Sequence, residues 1–463
     1  MKTKAYVAVV AAVFGGFVWG EPVTDLLFFY DTEAFTARDA AQGVLEIANI
    51  MSEEGVTATF ALVGKMAEAL DRWGRQDVLK AMARHEIATH TWGHTYHPTT
   101  TEMADVADYD LAYRTIRAQE EEAVAMLKKY VPGLKDVVSF VPPGNNEPYV
   151  AQYIYRDLGM KFTCGGSYCP NERGDQWYCG MLQIPYVCTF EDFLPGHRPC
   201  DPEKFAAQLA KAKRAVIYCH PQKVIDKEFW DILNFNGKNP PEGEPYRQAE
   251  KWTPAETAQY LDGIRKVTRY LKNDPRFRIV TPSQLAAEQK PRERMRLADV
   301  TFLRDELKRD FGPIDRSGWC LCDVFRGAVL FLRGETCYDP SREFGFLEKP
   351  VGVTSPCVVT AADMKAAAAK IDLGGFLPSA IDVGGMRLGP RDFLMAALEI
   401  LATGAPTAKV EPIADQLGSF RAMPRLEKTV YTRKSWCVYS FDLKDDYVSD
   451  RLRLQLWTLR NDR

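Results

Sequence analysis

Between residues 24 and about 290, short apolar runs alternate with amphipathic segments, and no other feature constrains the fold of this chain as tightly. Leu26-Leu27-Phe28-Phe29-Tyr30 reads as a buried strand, residues 38–54 as a helix, and Thr57–Val63 as a second strand stopped by Gly64. Further strands are expected at Ile87–Thr89, Val137–Val141, Lys161–Thr163, Val216–Cys219 and Phe277–Val280, with helices between them, notably over 108–130 and 253–272. This is the rhythm of a parallel sheet, which places the chain in the α/β class. If the strands close into a (β/α) barrel, chemistry gathers at their C-terminal ends. Asp31 directly follows the first run, and His220 directly follows the run that ends in Cys219.

A chain of 463 residues, 46% hydrophobic, can bury a full-sized core and leaves room for a second domain. Its formal charge of -3 provides no basic field, which argues against nucleic acid or an anionic membrane surface as the main partner and leaves neutral sugars or peptides. Residues 1–20 read as a signal peptide: Lys2 and Lys4 precede the apolar stretch Ala5–Val18, and Val18-Trp19-Gly20 suits a signal peptidase. That stretch is shorter than the roughly 20 residues of a membrane span, so the mature chain is expected to have no transmembrane segment and to be periplasmic, cell-surface or secreted. A retained anchor is the alternative. Eleven cysteines fit export and suggest disulfide staples. Five cluster at Cys164, Cys169, Cys179, Cys188 and Cys200, and Cys219, inside an apolar run, is the expected odd thiol.

Two short segments carry candidate chemistry. In His85-Glu86-Ile87-Ala88-Thr89-His90-Thr91-Trp92-Gly93-His94 the last two imidazoles stand four apart, a spacing that puts both on one face of a helical turn, within reach of one metal ion. The bland alternative is a chance pair on a helix surface. In Asp31-Thr32-Glu33 two carboxylates stand two apart, on the same side of an extended strand. Their bland alternative is a helix cap or a surface pair.

Taken in order, these landmarks resemble the polysaccharide deacetylase (NodB homology) family of carbohydrate esterases over residues 24–290. Phe29–Glu33 looks like the family's first motif, His85–His94 like its second, Phe140-Val141-Pro142-Pro143-Gly144 like its third and Tyr218-Cys219-His220 like its last. The resemblance implies a distorted barrel of seven strands and a hydrolase that removes N-acetyl groups. It also implies Glu33, His90 and His94 as ligands of one divalent ion, zinc or else cobalt or nickel, leaving a coordination position open. Asp31 would be the general base, His220 the general acid, and the amide of Gly144 or Asn145 the oxyanion donor, since Pro142 and Pro143 have no N–H. His85 and His97 are not expected to be ligands. The chain departs from the family pattern where adjacent aspartates are usual, so the Asp31 and Glu33 roles could be exchanged, and Val141 stands where the third motif commonly has an Arg. No convincing fourth motif is present, although Asp175-Gln176-Trp177 lies in the expected region.

The expected substrate is an N-acetylated glycan or cell-wall polymer, such as peptidoglycan or a chitin-like glycan. Two other readings are a catalytically impaired glycan-binding protein and an amide hydrolase acting on a small non-sugar substrate. Trp92, Trp177, Tyr178, Trp230, Phe235 and Trp252 are candidate sugar-stacking faces. Residues 300–463 read as a smaller α+β accessory domain for glycan or cell wall, in which Phe376–Gly385 followed by Phe393–Leu398 faintly resembles a pseudomurein-binding repeat. Arg451–Leu459, with Leu at every second position from Leu452 to Leu456, reads as a half-buried strand.

Overall fold

The computed structural model describes residues 23–145, 148–165, 175–314, 318–418, 420, 440 and 443–462. The expected signal peptide, Cys169 and Cys437 lie outside these residues. No helix among the described residues is long and apolar enough to cross a membrane.

The apolar runs form parallel strands: β1 (Thr24–Thr32), β2 (Thr59–Leu62), β3 (Glu86–Thr89), β4 (Ser139–Phe140) and β5 (Phe162–Cys164), each paired to the next in register. A run without a clean apolar signal closes the ring. After β6 (Asp175–Tyr178) comes β7 (Met181–Ile184), which pairs parallel with β5. Past Pro185, β8 (Tyr186–Thr189) pairs parallel with β9 (Arg214–Cys219), and β9 pairs with β1. Counting Met181–Thr189 once, β1, β2, β3, β4, β5, that run and β9 make seven parallel strands. An eighth, β10 (Phe277–Ile279), pairs only with the start of β1, on the edge that β2 occupies higher up.

Alternation along β1 sorts its side chains into two layers. Leu26, Phe28 and Tyr30 join the core that the outer helices cover, including Ala41–Glu53 and Pro254–Asn273. Leu27 and Phe29 join the inner core with Ala61, Ala88, Val141, Phe162 and Val216. Continuing the period of two brings Asp31 and Glu33 to the inner side, at the C-terminal end of the strand.

The C-terminal part shares its core with the barrel. Tyr149, Tyr153, Ile154, Tyr178 and Cys179 pack with Leu321, Phe325, Phe393 and Trp457, and the strand Arg460–Asp462 adds antiparallel to β6. The segment resembling a cell-wall repeat is a hairpin, Ile381–Val383 against Met386–Leu388 through Gly384-Gly385, followed by the helix Pro390–Thr403. The strand expected over Arg451–Leu459 is instead the end of a helix, Val448–Arg453, and a single 3-10 turn, Leu456–Thr458. Leu452 and Leu456 are also four apart, and helical burial wins.

The disulfide expectation is corrected for most of the cysteines. Cys179, Cys188, Cys200, Cys219, Cys320, Cys322, Cys337 and Cys357 are free thiols. Five of them, Cys179, Cys188, Cys219, Cys320 and Cys322, serve as small buried core residues.

Candidate functional site

The His90/His94 pair is not on a helix. β3 ends at Thr89 and the chain turns back through Thr91 and His94, both at positive φ (67° and 53°), so the two imidazoles converge from a tight loop. The amides of Gly64 and Lys65, at the start of the helix Gly64–Arg72, donate to the carbonyls of Thr91 and Trp92 at 3.0 and 2.9 Å. These otherwise unpaired helix N–H groups pin the loop. Gly64 lets the two segments approach closely, since a Cβ would lie 3.1 Å from the Trp92 carbonyl oxygen and 3.3 Å from the Ala123 backbone.

Nε2 of His90 and Nε2 of His94 lie 3.1 and 2.9 Å from the same oxygen, Oε2 of Glu33. Nδ1 of His90 lies 2.8 Å from the Val141 carbonyl oxygen, so Nδ1 donates there and Nε2 is the nitrogen turned toward Glu33. The other Glu33 oxygen, Oε1, accepts from the Trp230 indole N–H at 3.1 Å. One carboxylate oxygen and two imidazole nitrogens thus point at one place, with Glu33 and His90 held from behind and Nδ1 of His94 without a hydrogen-bond partner among the described residues, and all three residues are at most 4% exposed. This donor set suits a divalent ion such as zinc, since three protein ligands leave a coordination position free. Burial pushes the Glu33 carboxyl up, but His94 and His90 outweigh it and hold it well below the usual carboxylate range.

Asp31 and His220 face each other beside this triad, with Nε2 of His220 3.7 Å from Oδ2 of Asp31. Burial raises the Asp31 carboxyl above its ordinary value, against the pull of His90 and His220. Its Oδ1 accepts from the Tyr186 phenol at 2.9 Å. His220 is backed by Glu191, whose Oε1 lies 2.5 Å from Nδ1 and accepts from the His220 backbone N–H at 3.1 Å. Burial alone would lower the His220 pKa, but the Glu191 charge outweighs it and lifts the value to about 10.

Gly144 sits in a 3-10 turn, Pro143–Asn145, with φ 59° and ψ 22°, and the surroundings of Asn145 lie outside the described residues. His85 and His97 stand apart from the triad. His85 bonds Ser52 and the Ala48 carbonyl, and His97 bonds Glu102. Most of the expected sugar-stacking faces are closed: Trp230 and Phe235 are buried around Phe35, Tyr178 is fully buried, and Trp177 lies under Arg460.

Sequence reasoning missed Tyr186, Glu191 and Trp230 as partners of the site residues, because their contacts join distant parts of the chain. It also missed Glu120, whose Oε1 is 3.4 Å from the Trp92 amide and whose carboxyl burial pushes up to about 7.

Residues 30–163 match the family described as polysaccharide deacetylase, a segment that holds Asp31, Glu33, His90, His94 and Gly144 but not Tyr186, Glu191 or His220. No curated protein matches the chain. Solved structures similar to it include a protein from Pseudomonas aeruginosa PAO1 described as a probable polysaccharide deacetylase (13% identity, 58% of this chain and 91% of that one, TM-score 0.39). Another is a family 4 carbohydrate esterase from Streptomyces lividans solved with acetate (12%, 56% and 94%, TM-score 0.31). A third is a pseudoenzyme of the same esterase family from Bacillus anthracis (16%, 43% and 56%, TM-score 0.28). The fold stands on its own strand order.

Proposed function

We propose that this chain is an exported, divalent-metal-dependent hydrolase that removes N-acetyl groups from a polysaccharide such as peptidoglycan or a chitin-like glycan. The carrying observation is the convergence of Glu33 Oε2, His90 Nε2 and His94 Nε2 beside a facing acid and base. The family match over residues 30–163 supports hydrolysis of a non-peptide amide. Export rests on the leader pattern alone, since the free thiols lend it no support.

Glu33, His90 and His94 would hold the ion, which when bound supplies a Lewis acid that polarises the acetyl carbonyl and acidifies water. Asp31 takes the proton of the attacking water on Oδ2, the oxygen not engaged by Tyr186. The N–H of Gly144 or Asn145 is the donor for the developing oxyanion, on the turn that follows the Val141 carbonyl holding His90. His220, kept as an imidazolium by Glu191, gives its Nε2 proton to the amine nitrogen as the C–N bond breaks. The products are acetate and a free amine.

Acetate release from a panel of N-acetylated glycans, with metal-stripped and metal-reloaded chain, tests this reading. Release should vanish on stripping, return with zinc and be absent in His90→Ala. Full activity without metal would refute the site, and glycan binding without acetate release at saturating metal would make the chain a binding protein.

A further inference from the structure

Tyr186 opens β8, just past the Pro185 break, and its phenol reaches Oδ1 of Asp31 at 2.9 Å. Its ring is clamped on both sides. One face stacks on Tyr218, with ring centroids 4.0 Å apart and an interplanar angle of 17°. The other face lies against Gly165, where a Cβ would come within 2.6, 2.7 and 2.8 Å of Cζ, Cε1 and Cε2 of the tyrosine ring. Near-equal distances to three ring atoms mean contact with the face, which must be the one Tyr218 leaves free. Gly165 also has φ +86°, a conformation that other residues rarely adopt, so position 165 accommodates the ring in two ways.

A rotating carboxylate could present either oxygen to the site, but Asp31 has Oδ1 tied to this fixed phenol and Oδ2 turned toward His220 Nε2. We infer that Tyr186 is a positioning residue that locks the Asp31 carboxylate with Oδ2 alone turned to the attacking water. The inference rests on the reading of Asp31 as the base of an amide hydrolase. Burial, together with the Asp31 charge, holds the phenol well above its ordinary pKa, so it remains a donor at any working pH.

The test is Tyr186→Phe in the metal-loaded full chain, which keeps the stacked ring and removes only the donor. A hydrogen bond to a charged group is worth about 1.5–3 kcal/mol, so kcat should fall roughly 10- to 100-fold. KM and bound metal should stay within about twofold of the parent. In an Asp31→Asn background the same change should cost nothing further in kcat/KM. An unchanged kcat with a lowered melting temperature, or independent multiplicative losses in the double variant, overturns the inference. If the parent releases no acetate at all, the deacetylase reading fails by itself. The same pair is then scored in unfolding free energy: coupled effects keep the Tyr186 lock, and additive ones overturn it.

Discussion

Two buried clusters among the described residues bring metal-capable side chains within 4.8 Å of one another: Glu33, His90 and His94 at the barrel mouth, and Cys320, Asp323 and Glu343 in the C-terminal part. They differ in charge balance. In the second, Nη1 of Arg292 lies 2.7 Å from Asp323 Oδ2 and 2.7 Å from Glu343 Oε1, and Nε of Arg460 lies 3.2 Å from the same Glu343 oxygen. Burial, then the neighbouring Cys322 and the Asp323 charge, pushes the Cys320 thiol well up, so it stays protonated and donates to Asp323 at 3.2 Å instead of offering a thiolate. The chain supplies that cluster's cations itself. The first cluster has imidazoles and a carboxylate backed by a carbonyl and an indole, with no Lys or Arg of the described residues among its contacts. Proximity of donors does not make a metal site; an unmet demand for positive charge does.

The largest effect expected from this contrast is at the first cluster. His90→Ala should abolish bound metal and reduce acetate release to background, while the chain remains folded by circular dichroism. Elemental analysis of the reloaded parent should find one ion per chain. Two ions, with the second lost in Asp323→Ala, would break the comparison.

At the second cluster the loss should fall on folding rather than chemistry. Arg292→Met leaves two carboxylates facing each other in the interior, and breaking such a buried pair costs about 3–5 kcal/mol of stability. Urea unfolding should show this as a lower midpoint, with acetate release per folded molecule unchanged. A variant as stable as the parent would mean that Arg460 alone balances Glu343, and that the second cluster is less dependent on its cations than its geometry implies.

How much of this was legible in the sequence follows the same division between local and distant contacts. Strands such as β1 and β9 are buried on both faces, so they read as unbroken apolar runs. The closing run over residues 181–189 hides because Pro185 interrupts it and Gln183 and Thr189 dilute it. The triad was legible as residue types, yet its local shape was not: a spacing of four suits a helical turn, whereas Thr91 and His94 at positive φ reach the same convergence from a loop. Tyr186 lies 155 residues from Asp31 and Trp230 lies 197 from Glu33, distances at which no local pattern links a side chain to its partner. Arg292 stands in the charged run Lys290–Arg296, and nothing in that run marks it as buried between two acids.

The smallest expected effect concerns the ion pair between these extremes. His220 and Glu191 are a balanced pair like Arg292 and its acids, but one member must give up a proton during turnover. Glu191 raises the His220 pKa to about 10, so the imidazolium needed to protonate the amine is present below that value and lost as pH rises through it. Glu191→Gln removes the main raising charge, so the loss should begin nearer the ordinary histidine value of about 6.5. The alkaline limb of kcat should therefore move to lower pH, with a deficit of about tenfold at pH 8 that narrows to little at pH 6. Bound metal should be unaffected, because Glu191 touches no residue of the triad. A profile that keeps its alkaline limb in Glu191→Gln would mean that the carboxylates of Asp31 and Glu33 suffice to hold the imidazolium. The acid would then draw its charge balance from the metal cluster, and the two regions of the barrel mouth would titrate as one.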